Sequence, residues 1–553
     1  MSIVSKAFYK GLILAGNEMQ KNFNEYTNIP LQKNREILFE IINENKNTLY
    51  GQNHKFENIE SINDFKAQVK LNEYSDFEQF ILMESNGQKN ILTKEDVEYF
   101  GHSSGTTGGQ KLLPITKSSR NLTLKLNGIL CQKFIYDCFK NQWTYGKGTM
   151  LVDINSGTKS KGGMNVTSAS SGGMSRIKRI SEYVWTSPIE VMELEDKNTA
   201  FYLHVLFALK EKNLMYIGGL FISSILDFFR FIEKNHKILL NDLKTGHINK
   251  SINLPQKIRK ILDSKLGKCS KRAAFLEKEF AEGFNGIARR IWTKLIYIAS
   301  VTGANFVNYN DLVNKYTDNI PICSIAYAAT EGFIGVNPYH DKIEYILLPQ
   351  SCFYEFIEKD DIYKAQPKTY LIDELKIDHD YEIVLTNCNG LYRYRLGDIV
   401  KVCGFYNKTP KIKFLYRKNQ LLNMVAEKTT ESHVKNALQS VAHSLNFNLI
   451  DYTTFADNSV TPGRYLFYLE VQNFNSKDGI YIVESKLDLA LQKSNLAYGR
   501  FRSKNRLGKV KVCFVKRGTF SKLKNKLTQS TGSANQIKIP RVIYDRKIID
   551  SLL

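Results

Sequence analysis

The stretch Ser103-Ser104-Gly105-Thr106-Thr107-Gly108-Gly109-Gln110-Lys111, with Pro114 close behind, decides how the rest of the chain is read. Glycines let backbone N–H groups turn toward an anion with no Cβ in the way, hydroxyls add donors and a lysine adds charge. The stretch therefore reads as a clamp for a polyphosphate and points to ATP chemistry. It is not a P-loop, because Leu112 follows the lysine where that motif needs a hydroxyl for magnesium. By itself a Ser/Gly-rich turn is equally well explained as a flexible loop, so the segments around it must decide.

Two acidic segments downstream change the reading. Tyr327-Ala328-Ala329-Thr330-Glu331-Gly332 follows a β-rich run at Ile322 to Ile325, which puts a hydroxyl and a carboxylate together at a strand end. A carboxylate there suits magnesium on a triphosphate, since Mg²⁺ takes one or two carboxylates plus phosphate oxygens. Tyr392-Arg393-Tyr394-Arg395-Leu396-Gly397-Asp398 reads as a second turn after a β run, with an aspartate able to accept both hydroxyls of a ribose. Taken singly, each acid is equally a turn or salt-bridge residue; their order along the chain is the signal.

Around these segments the chain reads as α/β. The region from Asn34 to Leu92 has helical period, Thr149 to Gly173 is rich in Gly and Ser and reads as long turns, and Thr199 to Leu239 reads as helices packed on aromatics. Short β-rich runs follow at Leu295–Ser300, Ile320–Tyr327, Ile343–Leu348, Phe353–Ile357 and Tyr381–Thr386. After Arg417 a small α+β unit begins, with helices around Val434–Leu445, Ile480–Leu491 and Thr519–Leu527 and strands at Arg464–Val471 and Lys509–Val515.

Composition bounds the class. The 553 residues are 43% hydrophobic and 24% charged, an ordinary globular balance that excludes disorder. The formal charge is +22, and from Leu489 to Tyr544 there are fourteen Lys and Arg and no acid. That pattern suits a solvated face, closure over a phosphate-rich ligand or nucleic-acid contact, and charge alone does not choose. The eight cysteines stand singly, with no C-x-x-C pair, which reads as reduced thiols in a cytoplasmic compartment without structural zinc. The apolar patch Gly11 to Gly16 is too brief for a signal sequence, and no run approaches a membrane helix, so a soluble protein is expected.

The three motifs, in this order and at these separations, resemble the adenylate-forming superfamily, and within it the auxin-responsive Gretchen-Hagen-type acyl acid amido synthetases. Tyr345-Ile346-Leu347-Leu348-Pro349, Phe353-Tyr354-Glu355-Phe356-Ile357, Phe414-Leu415-Tyr416-Arg417-Lys418, Lys428-Thr429 and Asn535-Gln536-Ile537-Lys538-Ile539-Pro540-Arg541 resemble that family's framework, so the likeness runs from about Asn34 to Arg541. Two departures stand out. Gln110 directly follows Gly109 where plant members have one more residue and an acid before the lysine, and Thr330 replaces the usual serine while keeping the hydroxyl.

The resemblance implies a large N-terminal domain, residues 1–420, of β-sheets with flanking helices and a β-barrel-like part. A small mobile α+β lid, 421–553, would follow a hinge at about 417–430. It implies ATP and Mg²⁺ as cofactors and a two-step reaction: a carboxylic acid is adenylated with release of pyrophosphate, then an amine, an amino acid for example, takes the acyl group. Ser103, Ser104, Thr106 and Thr107 would hold phosphate oxygens, with Thr107 also counted as catalytic; Glu331 would hold magnesium and Asp398 the ribose. Lys538 would reach the α-phosphate and the carboxylate. Gly105, Tyr327, Thr330 and Arg417 complete the expected nucleotide set. Expected partners are a small carboxylic acid and an amine, with no nucleic acid and no membrane, for a monomer. The alternatives are a ligase with a thiol (coenzyme A) or protein acceptor, and a non-catalytic basic binding module.

Overall fold

The structure is a computed structural model that describes residues 3–104, 110–154, 157–302, 307–418, 420–425, 427–472, 476–520, 522–523 and 541–543. The chain divides into two compact units, one of residues 1–103 with 112–416, the other of 104–111 with 417–553.

The first unit holds three sheets. Four strands, Gly148–Leu151, Tyr216–Phe221, Tyr297–Val301 and Ile322–Cys323, lie side by side in that order and all parallel. Long crossovers join them, including helices Ala169–Val184, Lys197–Lys210 and Ile222–Thr245. A core of Leu203, Leu206, Ile217, Ile225, Phe229 and Ile298 fills the space between helices and strands. The strand Tyr216–Phe221 lies inside a region expected to be helical throughout. A parallel strand buried on both faces is a continuous apolar run, and here it passes straight into the helix at Ile222, so periodicity does not separate the two.

The second sheet is antiparallel and seven-stranded, in the order Phe353–Glu358, Asp380–Thr386, Tyr394–Tyr406, Thr409–Arg417, Tyr345–Leu347, Gly332–Val336, Ala326–Ala329. The helix Pro30–Asn45 begins with proline at its first turn and contributes Leu38, Ile41 and Ile42 to the core under this sheet. Asn34 on the same helix fastens it: its amide donates to the carbonyls of Pro349 and Cys352, both at 2.8 Å, and its oxygen accepts the Tyr354 N–H at 2.9 Å.

The third sheet carries the strand that runs into the glycine-rich stretch. Its order is Gln110–Thr116, Val97–Ser104, Asn165–Thr167, Thr158–Lys159. Ser170-Ser171-Gly172-Gly173, expected as a turn, instead opens the helix Ala169–Val184, with the Ser168 hydroxyl accepting the Ser171 N–H as its cap. Gly172 belongs there for space: a Cβ would lie 2.3 Å from the ring of Tyr99, whose hydroxyl donates to the Ala169 carbonyl at 3.1 Å.

The second unit is α+β. Strands Asn448–Asp457, Arg464–Gln472 and Lys511–Phe514 form its sheet, and helices Glu431–Ser444, Ser476–Ser494 and Leu496–Ser503 pack on it around Val434, Leu438, Phe467, Leu487 and Val512. Of the last expected helix, Thr519–Phe520 and Lys522–Leu523 are described and are helical. The acid-free stretch is partly neutralised within this unit. Arg502 pairs with Asp488, Lys511 with Glu484 and Arg541 with Asp451, so three of its cations serve the fold.

The expected hinge region contains a fastened part. Glu427, fully buried, accepts the N–H groups of Met424 and Val425 at 2.6 and 2.7 Å and the Tyr465 hydroxyl, while the Asn495 amide holds its carbonyl at 2.9 Å. Burial raises the Glu427 carboxyl above its ordinary range. Met424, Val425 and Glu427 are thus tied into the second unit. Among the described residues no helix is long and apolar enough to cross a membrane, and all eight cysteines are free.

Candidate functional site

Thr330 and Glu331 form the two-residue turn of a hairpin between Ala326–Ala329 and Gly332–Val336. The turn is held from three sides. Gly101, on the strand Val97–Ser104, lies so close that a Cβ there would be 2.9 Å from the Thr330 methyl. The Asn387 amide donates to the Glu331 carbonyl at 2.6 Å, and the Tyr394 hydroxyl stands 3.5 Å from Glu331 Oε1. Glu331 is only 5% exposed, yet no cation among the described residues pairs with it. A buried carboxylate is costly unless something positive satisfies it. A single carboxylate with no cation of its own among the described residues matches what Mg²⁺ on a phosphate asks of a protein, so the residues present fit the ion. Among the described residues no cluster of three or more His, Cys, Asp or Glu offers a metal cage.

Asp398 is 4% exposed, and its Oδ2 accepts the Tyr327 hydroxyl at 2.7 Å. It does not lie in a turn, as its motif suggested. It sits within the strand Tyr394–Tyr406, in a bulge: Arg395 pairs with Val384 and Ile399 with Glu382, so Leu396, Gly397 and Asp398 together oppose the single residue Ile383. Gly397 has φ +77°, which a residue with a Cβ adopts only under strain. Bulges of this kind re-aim side chains, and this one brings Asp398 to Tyr327, four residues before Glu331. The hairpin and the bulge thus bring Tyr327, Thr330, Glu331, Tyr394 and Asp398 into one linked group.

The arginines of the same motif do structural work. Arg393 forms a two-pronged pair with Glu355, both bonds 2.8 Å, and donates to the carbonyls of Lys66 and Val69. Arg395 pairs with Glu382 at 2.5 Å and donates to the carbonyls of Lys364 and Ile362. Removing one partner of such a buried pair costs about 3–5 kcal/mol. These arginines hold the strand in place.

Arg417 ends the strand Thr409–Arg417. Ser103 and Ser104 close the strand Val97–Ser104; Gly105, Thr106, Thr107 and Lys538 lie outside the described residues. Sequence reasoning missed Asn387 and Asn389, since an asparagine after a strand looks like any turn residue. It also missed Gly101, which becomes informative only when Thr330 is seen against it. A cavity of about 400 Å³ lined by Lys147, Trp185, Phe207, Lys210 and Lys265 opens at the amino-terminal edge of the parallel strands. Parallel sheets bind ligands at the other end, and these lysines are engaged by the Glu182 carbonyl, the Lys265 carbonyl and Glu190.

The GH3 family N-terminal domain matches residues 19–322, the GH3 family central domain 345–417 and the GH3 family C-terminal domain 431–547. The chain belongs to the GH3 family. The Arabidopsis thaliana protein named indole-3-acetic acid-amido synthetase GH3.4 is 28% identical to this GH3 chain over 546 residues, spanning 95% of it and 91% of its own length. GH3.17 of the same plant, named likewise, is 28% identical over 558 residues, spanning 92% and 90%. A solved structure described as GH3.15 acyl acid amido synthetase covers 96% of this chain and 94% of its own, with a TM-score of 0.67 at 24% identity, which establishes the shared fold. The central-domain match ends at 417, the residue with which the second compact unit resumes.

Proposed function

We propose that this GH3 chain is an ATP-dependent acyl acid amido synthetase. It adenylates a carboxylic acid, releasing pyrophosphate, and passes the acyl group to an amine such as that of an amino acid. The observation that carries the reading is the buried Glu331 carboxylate, without a cation partner among the described residues, in a turn packed against the strand that leads into the glycine-rich stretch. The relatives' names supply the amide-forming class.

In the first step a carboxylate oxygen attacks the α-phosphorus of ATP, and the bond to the pyrophosphate oxygen breaks. Negative charge builds on the transferring and leaving phosphates, so the protein acts mainly by positioning and charge stabilisation. The backbone and hydroxyls of Ser103, Ser104, Gly105, Thr106 and Thr107 cradle phosphate oxygens, with Thr330 contributing a further hydroxyl. Glu331 would hold magnesium, which when bound would supply positive charge against the phosphates. Asp398, oriented by the Tyr327 hydroxyl, receives the ribose hydroxyls. In the second step the amine nitrogen attacks the activated carbonyl, AMP leaves with the bonding electrons, and the amine gives up a proton.

The test is pyrophosphate release from Mg-ATP across aromatic, indolic and fatty acids, each with and without mixed amino acids. Release that requires an acid and rises with an amino acid is expected. Release that rises only with coenzyme A would move the acceptor to a thiol, and silence across the panel would contradict the reading.

A further inference from the structure

Asn387 follows the strand Asp380–Thr386 and is 2% exposed. Its amide oxygen accepts the N–H groups of Asn389 and Leu391 at 3.0 and 3.1 Å, which closes a local turn. That local turn does not use the amide nitrogen. It reaches fifty-six positions back to the Glu331 carbonyl, at 2.6 Å. Asn389, 3% exposed, makes the complementary link: its side-chain oxygen accepts the Thr116 N–H at 3.0 Å and lies 3.4 Å from the Thr116 hydroxyl. Thr116 ends the strand Gln110–Thr116, which leaves the glycine-rich stretch, and its hydroxyl caps the next helix by accepting the Ser119 N–H at 3.2 Å.

We infer that Asn387 and Asn389 are positioning residues that hold the Glu331 turn and the strand leaving the glycine-rich stretch in one register, so that Glu331 is presented to a nucleotide-bound divalent cation. The inference rests on the proposed ATP-dependent reaction. Both amides are buried and directional; one takes its backbone partner in the turn that carries Glu331, the other on the strand that leaves the glycine-rich stretch. If the pair merely closed a loop, the bond to Glu331 would be dispensable for metal binding. If it positions, loss of that bond loosens the metal's carboxylate while leaving the rest of the nucleotide contacts in place.

The experiment is calorimetric titration of the full chain with a non-hydrolysable ATP analogue, with and without Mg²⁺, for wild type, Asn387→Asp and Asn389→Ala, after thermal melting has shown each to be folded. Asn387→Asp keeps the acceptor that closes the local turn and removes the donor to Glu331. We expect its magnesium-dependent binding to weaken about tenfold, the worth of one buried hydrogen bond, while magnesium-free binding stays within about twofold. Asn389→Ala, which leaves the Asn387–Glu331 bond in place, should shift the same quantity by a smaller factor, and it carries the test if Asn387→Asp does not fold. Equal weakening with and without magnesium, or no change in either, overturns the positioning role alone. Wild type that binds the analogue with no magnesium dependence overturns both this inference and the placing of the ion at Glu331.

Discussion

At the scale of single residues, burial decides which acids are chemistry and which are frame. Glu355 and Glu382 are buried and paired with arginines, and so belong to the frame. Glu331 is buried without such a pair among the described residues. Glu84 is a third kind. It is 3% exposed, one oxygen accepts the Leu92 N–H at 3.1 Å, the other finds no hydrogen-bond partner among the described residues, and burial pushes its carboxyl from the ordinary 4.5 up to about 7. Its folded pKa lies above the unfolded one, so its contribution to stability is fully present below about pH 4.5 and is lost as pH rises through about 7. Glu84→Gln keeps the shape and never ionises. Denaturant unfolding should show the variant gaining on wild type by about 2–3 kcal/mol between pH 5 and 8, since holding a proton tenfold more tightly in the folded state is worth about 1.4 kcal/mol. A gap that stays constant with pH would show that burial does not raise the Glu84 carboxyl above its ordinary range.

At the scale of elements, the site is made by close approaches that a sequence does not display. The strands Phe353–Glu358 and Asp380–Thr386 were legible because short β-branched and aromatic runs stand between turn signals, whereas the hairpin strand Gly332–Val336 was not read as one. Glu331 and Asp398 were legible as residue types in an ordered set of motifs. The bulge that aims Asp398 was not, because nothing local tells a glycine at φ +77° within a strand from a glycine in a turn. The strand Tyr216–Phe221 was lost in an apolar run, and the frame role of Arg393 and Arg395 shows only once Glu355 and Glu382 are seen across the sheet. Gly101 tests the close approach directly. The Cβ of Gly101→Ala would meet a β-branched side chain 2.9 Å away that cannot swing aside freely. Overpacking of this kind costs about 1–3 kcal/mol. The expected outcome is a lowered melting temperature together with a raised KM for ATP and little change in KM for the acid. Equal changes in both KM values would show that the strand does not set the turn.

At the scale of the whole molecule, the linked group of Tyr327, Glu331 and Asp398 lies within the first of the two compact units. The basic balance of the second unit is partly spent on its own acids, at Asp488, Glu484 and Asp451, which weakens the nucleic-acid reading of the charge. What remains is a GH3 chain whose described residues assemble a linked carboxylate site against the strand that runs into a glycine-rich stretch. The proposed first step is adenylation, and acid-dependent exchange of labelled pyrophosphate into ATP reads that step without requiring the acceptor to be known. Wild type should exchange label only when a carboxylic acid and magnesium are both present, and Glu331→Ala, verified as folded, should lose most of that exchange. Exchange that proceeds unchanged in Glu331→Ala, or that is absent from wild type with every acid supplied, would contradict the account.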